Sequence, residues 1–300
     1  MLHISESDVQ QLLPMPVCID QMRLAFEAIK AGTTVNQSRR RLVLDTGSVL
    51  HQMAGSYGKY FATKIYSSNR RHGGLHQMYV LLYDAETGKP LAFIEANNLS
   101  LIRTGAASGY AADLLAAPDA EVIGLIGSGY QSRPQIEAMR AVRKIKEIRV
   151  WSPTAANAER FARDNNCATA ATAEAAVRGA SIVITATTSK DPVLDASWIA
   201  PGTFVAAMGS NVGNRRELPA ELVRNAGLIA VDDWEQAKIE AGDLLLAFGS
   251  DPWTNVVELK NVVRGYDPST VTIFESLGIG VEDAAAAGYV YEQAIRLHSE

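Results

Sequence analysis

Several positions in this chain pair a reactive residue type with a setting in which chemistry is done. Gly127-Ser128-Gly129 follows a short apolar run, Val122-Ile123-Gly124-Leu125-Ile126, and precedes a segment where Ile136, Met139 and Val142 recur at three-residue spacing. A strand, glycine turn and helix in that order can cradle a pyrophosphate, because a helix N-terminus offers N–H donors and positive dipole charge. Gly127 is expected to make the tight turn and Gly129 to let the backbone approach the phosphate; the third small position is Ser132. The cations come next. Lys64 sits within Phe61-Ala62-Thr63-Lys64-Ile65-Tyr66, and a lysine among apolar and aromatic neighbours has a depressed pKa suited to proton transfer. Arg103, in an Ala-, Gly- and Leu-rich stretch, and the run Arg39-Arg40-Arg41 are candidates for gripping a carboxylate at two points. The competing readings are a lysine on a solvated strand face and an arginine on an exposed helix turn.

The strand after the glycine turn should end in an acidic residue if it is to hold ribose hydroxyls. Here it ends Trp151-Ser152-Pro153-Thr154, which permits a 2′-phosphate bonded by Ser152 or Thr154, with Arg133 or Arg160 able to approach. The cofactor is therefore read as NAD or NADP, with a slight lean to NADP; the competing role for Ser152 is to cap the next helix. Thr185-Ala186-Thr187-Thr188 and Met208-Gly209-Ser210 each end a further strand, and ligands of open α/β sheets bind beyond such carboxyl ends. Simple strand-end capping is the alternative for the threonines.

Two kinds of scaffold must hold these groups. Ser5, with Asp8 three residues on, marks a helix start, and Cys18–Lys30 carries Ile19, Met22, Phe26 and Ile29 on one face. Short β-rich runs follow at Arg41–Asp45, Val49–Met53, Tyr60–Ser67, Gln77–Asp84 and Pro90–Ala96, a pattern of an antiparallel sheet. Leu99–Ala117 reads as a helix ended by Pro118. Beyond it, strands Val122–Ile126, Ile148–Trp151, Ser181–Ala186, Thr203–Met208, Leu228–Val231 and Val271–Phe274 alternate with helical segments such as Ala155–Asp164 and Leu218–Asn225. That alternation predicts a parallel sheet covered on both faces. The fold class is α/β: a Rossmann-type doubly wound domain over 116–281 and an α+β antiparallel-sheet domain over 1–115, with the last helix able to belong to either part.

Composition narrows the classes. The 300 residues carry a net charge of −5, and the one dense basic run, residues 143–149, falls where a helix should end, which argues for a solvated terminus and no nucleic-acid partner. Cys18 and Cys167 stand in no metal spacing, as expected of reduced thiols in a cytoplasmic protein. No leader-like start and no apolar run near ~20 residues is seen, so no membrane partner is expected.

Taken in order, several motifs give the chain a resemblance to the ornithine cyclodeaminase/mu-crystallin family. They are the arginine run, Val49-Leu50-His51-Gln52-Met53, Lys64, Asp84 to Ala92, Leu101-Ile102-Arg103-Thr104-Gly105-Ala106-Ala107, Gly127-Ser128-Gly129-Tyr130-Gln131 and Arg216-Glu217-Leu218. The resemblance implies a homodimer built through the antiparallel sheets of the first domain, with the last helix, 282–300, packing back onto that domain, and a small amino- or imino-acid substrate. It implies NAD(P) at Gly127, Ser128, Gly129, Tyr130 and Gln131, with Thr104, Ser152, Thr154, Thr185, Ala186, Thr187, Met208 and Gly209 as further cofactor candidates. Arg39, Lys64 and Arg103 resemble the family's carboxylate-holding residues. Arg41 would share a strand face with Arg39 and is the second choice, and His51 lies near the substrate candidates.

Two departures bear on chemistry. Family cyclodeaminases carry an aspartate where, counting back from Glu217, this chain has Asn211, and His51 stands where they can have glutamate. Asparagine hydrogen-bonds but exchanges no proton at neutral pH. The expected activity is therefore an NAD(P)-dependent imino-acid (ketimine) reductase or L-amino-acid dehydrogenase, with Lys64, Arg103 and Asn211 at the chemistry. The alternatives are a diamino-acid cyclodeaminase that recycles its NAD, and a non-catalytic NADPH- or ligand-binding dimer.

Overall fold

The structure, a computed structural model, describes residues 1–69 and 71–299. The chain divides into two units: Met1–Ala106 with the residues from Gly278 onward, and Ala107–Leu277.

The first unit opens with β1 (Leu2–Ile4), α1 (Glu6–Leu12) and α2 (Met15–Lys30). Ser5 caps α1 through a reciprocal bond pair with Asp8, as the sequence spacing predicts. Then come β2 (Asn36–Val43), β3 (Ser48–Tyr57), β4 (Tyr60–Asn69), β5 (Gly74–Leu75), β6 (Tyr79–Asp84) and β7 (Pro90–Glu95), followed by α3 (Asn97–Leu115). The seven strands form one sheet in the order β1-β7-β6-β4-β3-β2, with β5 beside β4. The pairings are antiparallel, as expected, except that β1, a strand not expected from the sequence, runs parallel to β7 and makes the sheet mixed. A three-residue strand gives too little alternation to be seen in sequence.

Alternation sets the two faces of this sheet. On β4, Tyr60, Ala62, Lys64 and Tyr66 point to the buried side while Phe61, Thr63 and Ile65 point away. The last helix, Gly280–Ser299, lies on the buried side against β3 and β4. Glycine allows that close approach: a Cβ on Gly55 or Gly280 would strike the other's backbone. Fully buried Val80, Leu82 and Ile94 on neighbouring strands each contribute about 1.5–3 kcal/mol.

The second unit contains β8 (Val122–Ile126), α4 (Ser132–Val142), β9 (Glu147–Trp151), α5 (Ala155–Asn165), β10 (Ala168–Thr169), α6 (Ala173–Val177), β11 (Ile182–Thr185), β12 (Phe204–Ala207), α7 (Ala220–Asn225), β13 (Leu228–Val231), α8 (Trp234–Glu240), α9 (Gly242–Phe248), β14 (Val256–Glu258) and β15 (Thr272–Glu275). The final helix of the first unit is α10. All eight strands are parallel, in the order β10-β9-β8-β11-β12-β15-β13-β14. The chain leaves β8 toward β9 and β10, then returns to β11 on the other side, which makes the β8/β11 edge a topological switch point. β11, β12 and β15 are buried at every residue, as strands covered on both faces must be. Gly124 lets α6 sit close, since a Cβ there would meet the Ala176 carbonyl and Val177.

The β2 segment predicted as Arg41–Asp45 lies earlier and is longer, and α3 starts at Asn97 and ends at Leu115. The division falls within α3, between Ala106 and Ala107, and the last helix begins at Gly280. Residue 300 of the expected final segment lies outside the described residues.

Candidate active site

In the first unit the cations converge on one face. Lys64, on β4, pairs across the ladder with Met53 of β3, and His51 pairs with Tyr66. On β2 the register shifts between Gln37 and Arg40, which inserts an extra residue and turns Arg39 inward. Arg39 is 7% exposed and donates to the Gly278 carbonyl at 3.4 Å, whereas Arg41, opposite His51, is half-buried. The register left open in the sequence thus sets Arg39 deeper than Arg41. Gly278 also abuts the Arg103 guanidinium, and at φ +72° that position favours glycine.

α10 brings the counter-charges. Its first turn carries Glu282 and Asp283, suited to the positive end of a helix dipole. Lys64 Nζ donates to Asp283 Oδ1 at 2.9 Å, and Arg103 Nε donates to the same oxygen at 2.8 Å. Arg103 Nη1 donates to Glu282 Oε2 at 2.8 Å. Lys64, Arg103, Glu282 and Asp283 are all buried, so the readings of a solvated lysine and an exposed arginine do not hold. Burial first, then repulsion from Arg103, takes Lys64 from 10.5 down to about 7, against an upward pull from Asp283. Burial opposes ionising Asp283, but Arg103 and then Lys64 outweigh it and hold that carboxyl below its ordinary value. Asp283 Oδ2 is buried without a hydrogen-bond partner. Neither acid was found from sequence; the only signal was an adjacent acidic pair opening an Ala-rich helix.

His51 stacks on Tyr66 with ring centroids 4.5 Å apart and bonds Ser68 at 2.9 Å. Burial, then Arg41 and Arg39, push its imidazole down to about 4, so it is neutral at physiological pH. The Thr104 hydroxyl donates to the Ser100 carbonyl at 2.7 Å.

In the second unit the glycine turn stands at the switch point. Gly127 has φ +108°, and a Cβ there would press on the Ala186 carbonyl. Its N–H donates to the Trp151 carbonyl at 2.9 Å, and the buried Ser132 hydroxyl donates to its carbonyl at 3.1 Å, so Ser132 closes the turn. A Cβ on Gly129 would meet nothing within 4 Å, and no side chain caps α4. Ser128 and Gln131 are half-buried and Tyr130 is exposed; Gln131 Oε1 is a buried acceptor with no hydrogen-bond partner. Open space, an uncapped eleven-residue helix and an unused acceptor fit a dinucleotide phosphate and its sugar.

At the end of β9, Ser152 is half-buried and Thr154 exposed; the capping position of α5 is Thr154, which makes no side-chain cap bond, so Ser152 is not a cap. Arg133 is ion-paired to Glu137 and Arg160 bonds Asn157, so both arginines have partners on their own helices. Thr185 is fully buried, which leaves Thr187 and Thr188 to present surface beyond β11. Ala186 donates its N–H to the Ile126 carbonyl at 2.9 Å. Met208, Gly209 and Asn211 are half-buried in the turn after β12.

The fold and these two clusters define an α/β protein with a dinucleotide-binding type of sheet in its second unit and buried cations in its first. The pattern of the ornithine cyclodeaminase/mu-crystallin family matches residues 2–297, and the chain belongs to that family. It is 37% identical over 222 residues to the ketimine reductase mu-crystallin of Mus musculus, covering 72% of this chain and 69% of that one. An alanine dehydrogenase of Archaeoglobus fulgidus is 31% identical, with 98% and 95% covered. The structure of Thermococcus litoralis Delta(1)-pyrroline-2-carboxylate reductase, solved with NADH and L-proline, superposes with a TM-score of 0.92 at 29% identity over 99% of this chain and 98% of that one.

Proposed function

We propose that this protein is a nicotinamide-dependent oxidoreductase that reduces a small imino acid and, in reverse, oxidises the matching L-amino acid. The observation that carries the reading is the charge count of the buried cluster. Among the described residues, Arg39 and Arg103 with Lys64 in its protonated form carry three positive charges against the two negative charges of Glu282 and Asp283, and the one in excess complements a single substrate carboxylate. The likeness to three relatives named for imino- or amino-acid redox chemistry supports it.

A bound nicotinamide would supply or take the hydride at the substrate α-carbon. Arg39 and Arg103 hold the carboxylate and fix that carbon, and positioning of this kind is worth about 7–11 kcal/mol of barrier. Lys64, oriented by Asp283, gives a proton to the imino nitrogen during reduction and takes it back during oxidation. Asp283 Oδ2 accepts an N–H from the same nitrogen, which favours amines over hydroxy acids.

With no carboxylate at the end of β9 to repel a 2′-phosphate, NADP is the preferred of the two cofactors. The outward sheet face of the first unit exposes Leu42, Leu50, Phe61 and Tyr79, with Phe61 stacked on Tyr83 and Tyr79 on Phe93. Exposed apolar and aromatic side chains on one sheet face mark an interface, and we assign this one to a homodimer. Among the described residues no helix is long and apolar enough to cross a membrane, and two unbridged cysteines fit a cytoplasmic location.

The test is an assay of Delta(1)-pyrroline-2-carboxylate and acyclic imino acids with NADH and NADPH, followed by loss of the reduced cofactor's absorbance. Turnover is expected. Ammonia release from ornithine or lysine with catalytic NAD and no net NADH would instead establish the cyclodeaminase, and tight NADPH binding without turnover would establish the ligand-binding dimer.

A further inference from the structure

The Arg216-Glu217-Leu218 triplet has no part in the chemistry above, yet Glu217 is fully buried and its carboxylate is engaged on both oxygens. Thr187 N–H donates to Oε1 at 2.6 Å and Gly209 N–H donates to Oε2 at 2.8 Å. Thr185 and Ala207 are paired across β11 and β12, so Thr187 and Gly209 each stand two residues past the same row at the carboxyl edge. Gly209 is glycine for a reason visible here: a Cβ would land on the Glu217 carboxyl group.

Glu217 is itself fixed. Its own N–H and that of Leu218 donate to Asp243 Oδ1 at 2.8 and 2.6 Å. Gly242 packs against the carbonyls of Val212 and Arg215, and Gly213 packs near the carbonyl of Ile239. The loop from Met208 to Arg216, which carries Asn211, is thereby pinned to α8 and α9.

We propose that Glu217 is a positioning residue for the nicotinamide end of the cofactor pocket, tying the Thr187 turn to the Gly209 turn through one carboxylate. The inference rests on the reading that a nicotinamide cofactor binds at this edge of the sheet. A carboxylate is needed because it accepts at both oxygens; glutamine would turn one acceptor into a donor facing an N–H. Both bonds that the carboxylate accepts come from the strand-end turns, and neither comes from an N–H of the glycine turn, where the phosphates go. The tie therefore predicts a split between the two ends of the cofactor.

The experiment is calorimetric titration of wild type and Glu217→Gln with NADH and NADPH, and with ADP-ribose and its 2′-phosphate, which lack the nicotinamide. Glu217→Gln is expected to weaken the reduced dinucleotides by about tenfold, the scale of one charge-assisted hydrogen bond, with ADP-ribose binding within about twofold. Gly209→Ala, which displaces the same carboxylate, should give the same split. Equal losses for dinucleotide and ADP-ribose, or no loss for either, overturn the proposal while leaving the oxidoreductase reading intact. Wild-type protein that binds none of the four ligands overturns both. If neither variant folds, amide hydrogen exchange of the cofactor-free wild type decides: slow exchange at both Thr187 and Gly209 supports the tie, and fast exchange at either refutes it.

Discussion

Replacing Lys64 with methionine tests the proposed chemistry most directly, because one side chain is asked to do two things. When protonated it holds one of three positive charges in a buried cluster with two carboxylates, and in the proposed chemistry it is the proton donor. Methionine keeps the volume of the stem but takes the cluster from one excess positive charge to none. Loss of a general acid costs about 10²–10⁴-fold in turnover, and weaker attraction for a carboxylate should raise KM as well. NADPH binding, which the second unit supplies in this scheme, should stay within about twofold of wild type. The pH profile gives an independent handle. Burial and the Arg103 guanidinium bring the ammonium down to about 7, so kcat/KM for imine reduction should fall roughly tenfold per pH unit above that point. An ordinary lysine would leave the profile flat to about 10. Stability carries the same signature. A folded-state value below the unfolded one means that the unfolded chain binds more protons between pH 7 and 10.5, so wild-type stability contains a term that rises with pH across that window. Lys64→Met lacks the term, and denaturant titrations at pH 7 and 9.5 should show the difference. Wild-type kcat/KM in Lys64→Met, or a wild-type profile flat from pH 6 to 9, would refute the assignment.

Other perturbations address the remaining parts of the reading. Gly127→Ala should weaken dinucleotide binding by at least about tenfold, because alanine is disfavoured at φ +108° and its methyl would meet the Ala186 carbonyl; titration with NADPH measures it. Asn211→Asp should confer ammonia release from ornithine with catalytic NAD, since a carboxylate restores a group that exchanges protons at neutral pH; unchanged ammonia output would count against Asn211 as the discriminating residue. The His51 imidazole sits at about 4 in the folded state, so folding stability should fall as pH drops from 6.5 toward 4, and His51→Gln should flatten that slope in thermal melts. Phe61→Glu, on the exposed apolar sheet face, should lower the mass measured by light scattering from that of the proposed dimer to the 32.3 kDa of one chain while preserving its circular dichroism.

Much of this architecture is legible in the sequence because it is written in short-range signals. β8 and β13 are predicted to the residue, since each is a short apolar run bounded by turn residues. The Ser5–Asp8 cap needs only a three-residue spacing. Lys64 stands out because a cation in a β-rich apolar run asks for an explanation, and burial supplies one. What sequence hides is whatever depends on long-range pairing. The choice between Arg39 and Arg41 hangs on a bulge opposite Met53, and a bulge is a property of two strands, not of one. Asp283 lies 219 residues from Lys64, and only the close approach of α10 to β3, made possible by Gly55 and Gly280, brings their side chains together. The same holds for Glu217, whose triplet is visible as a motif but whose two hydrogen bonds need adjacent strand ends. Local pattern therefore locates the cations, and tertiary structure supplies the anions that set their protonation and aim. Because a buried cation without any partner would be costly, a conspicuous lysine or arginine in such a sequence implies an acceptor elsewhere in the chain, the Gly278 carbonyl for Arg39 and a shared acid for the other two. In this chain that acid is Asp283, shared by Lys64 and Arg103 through one oxygen.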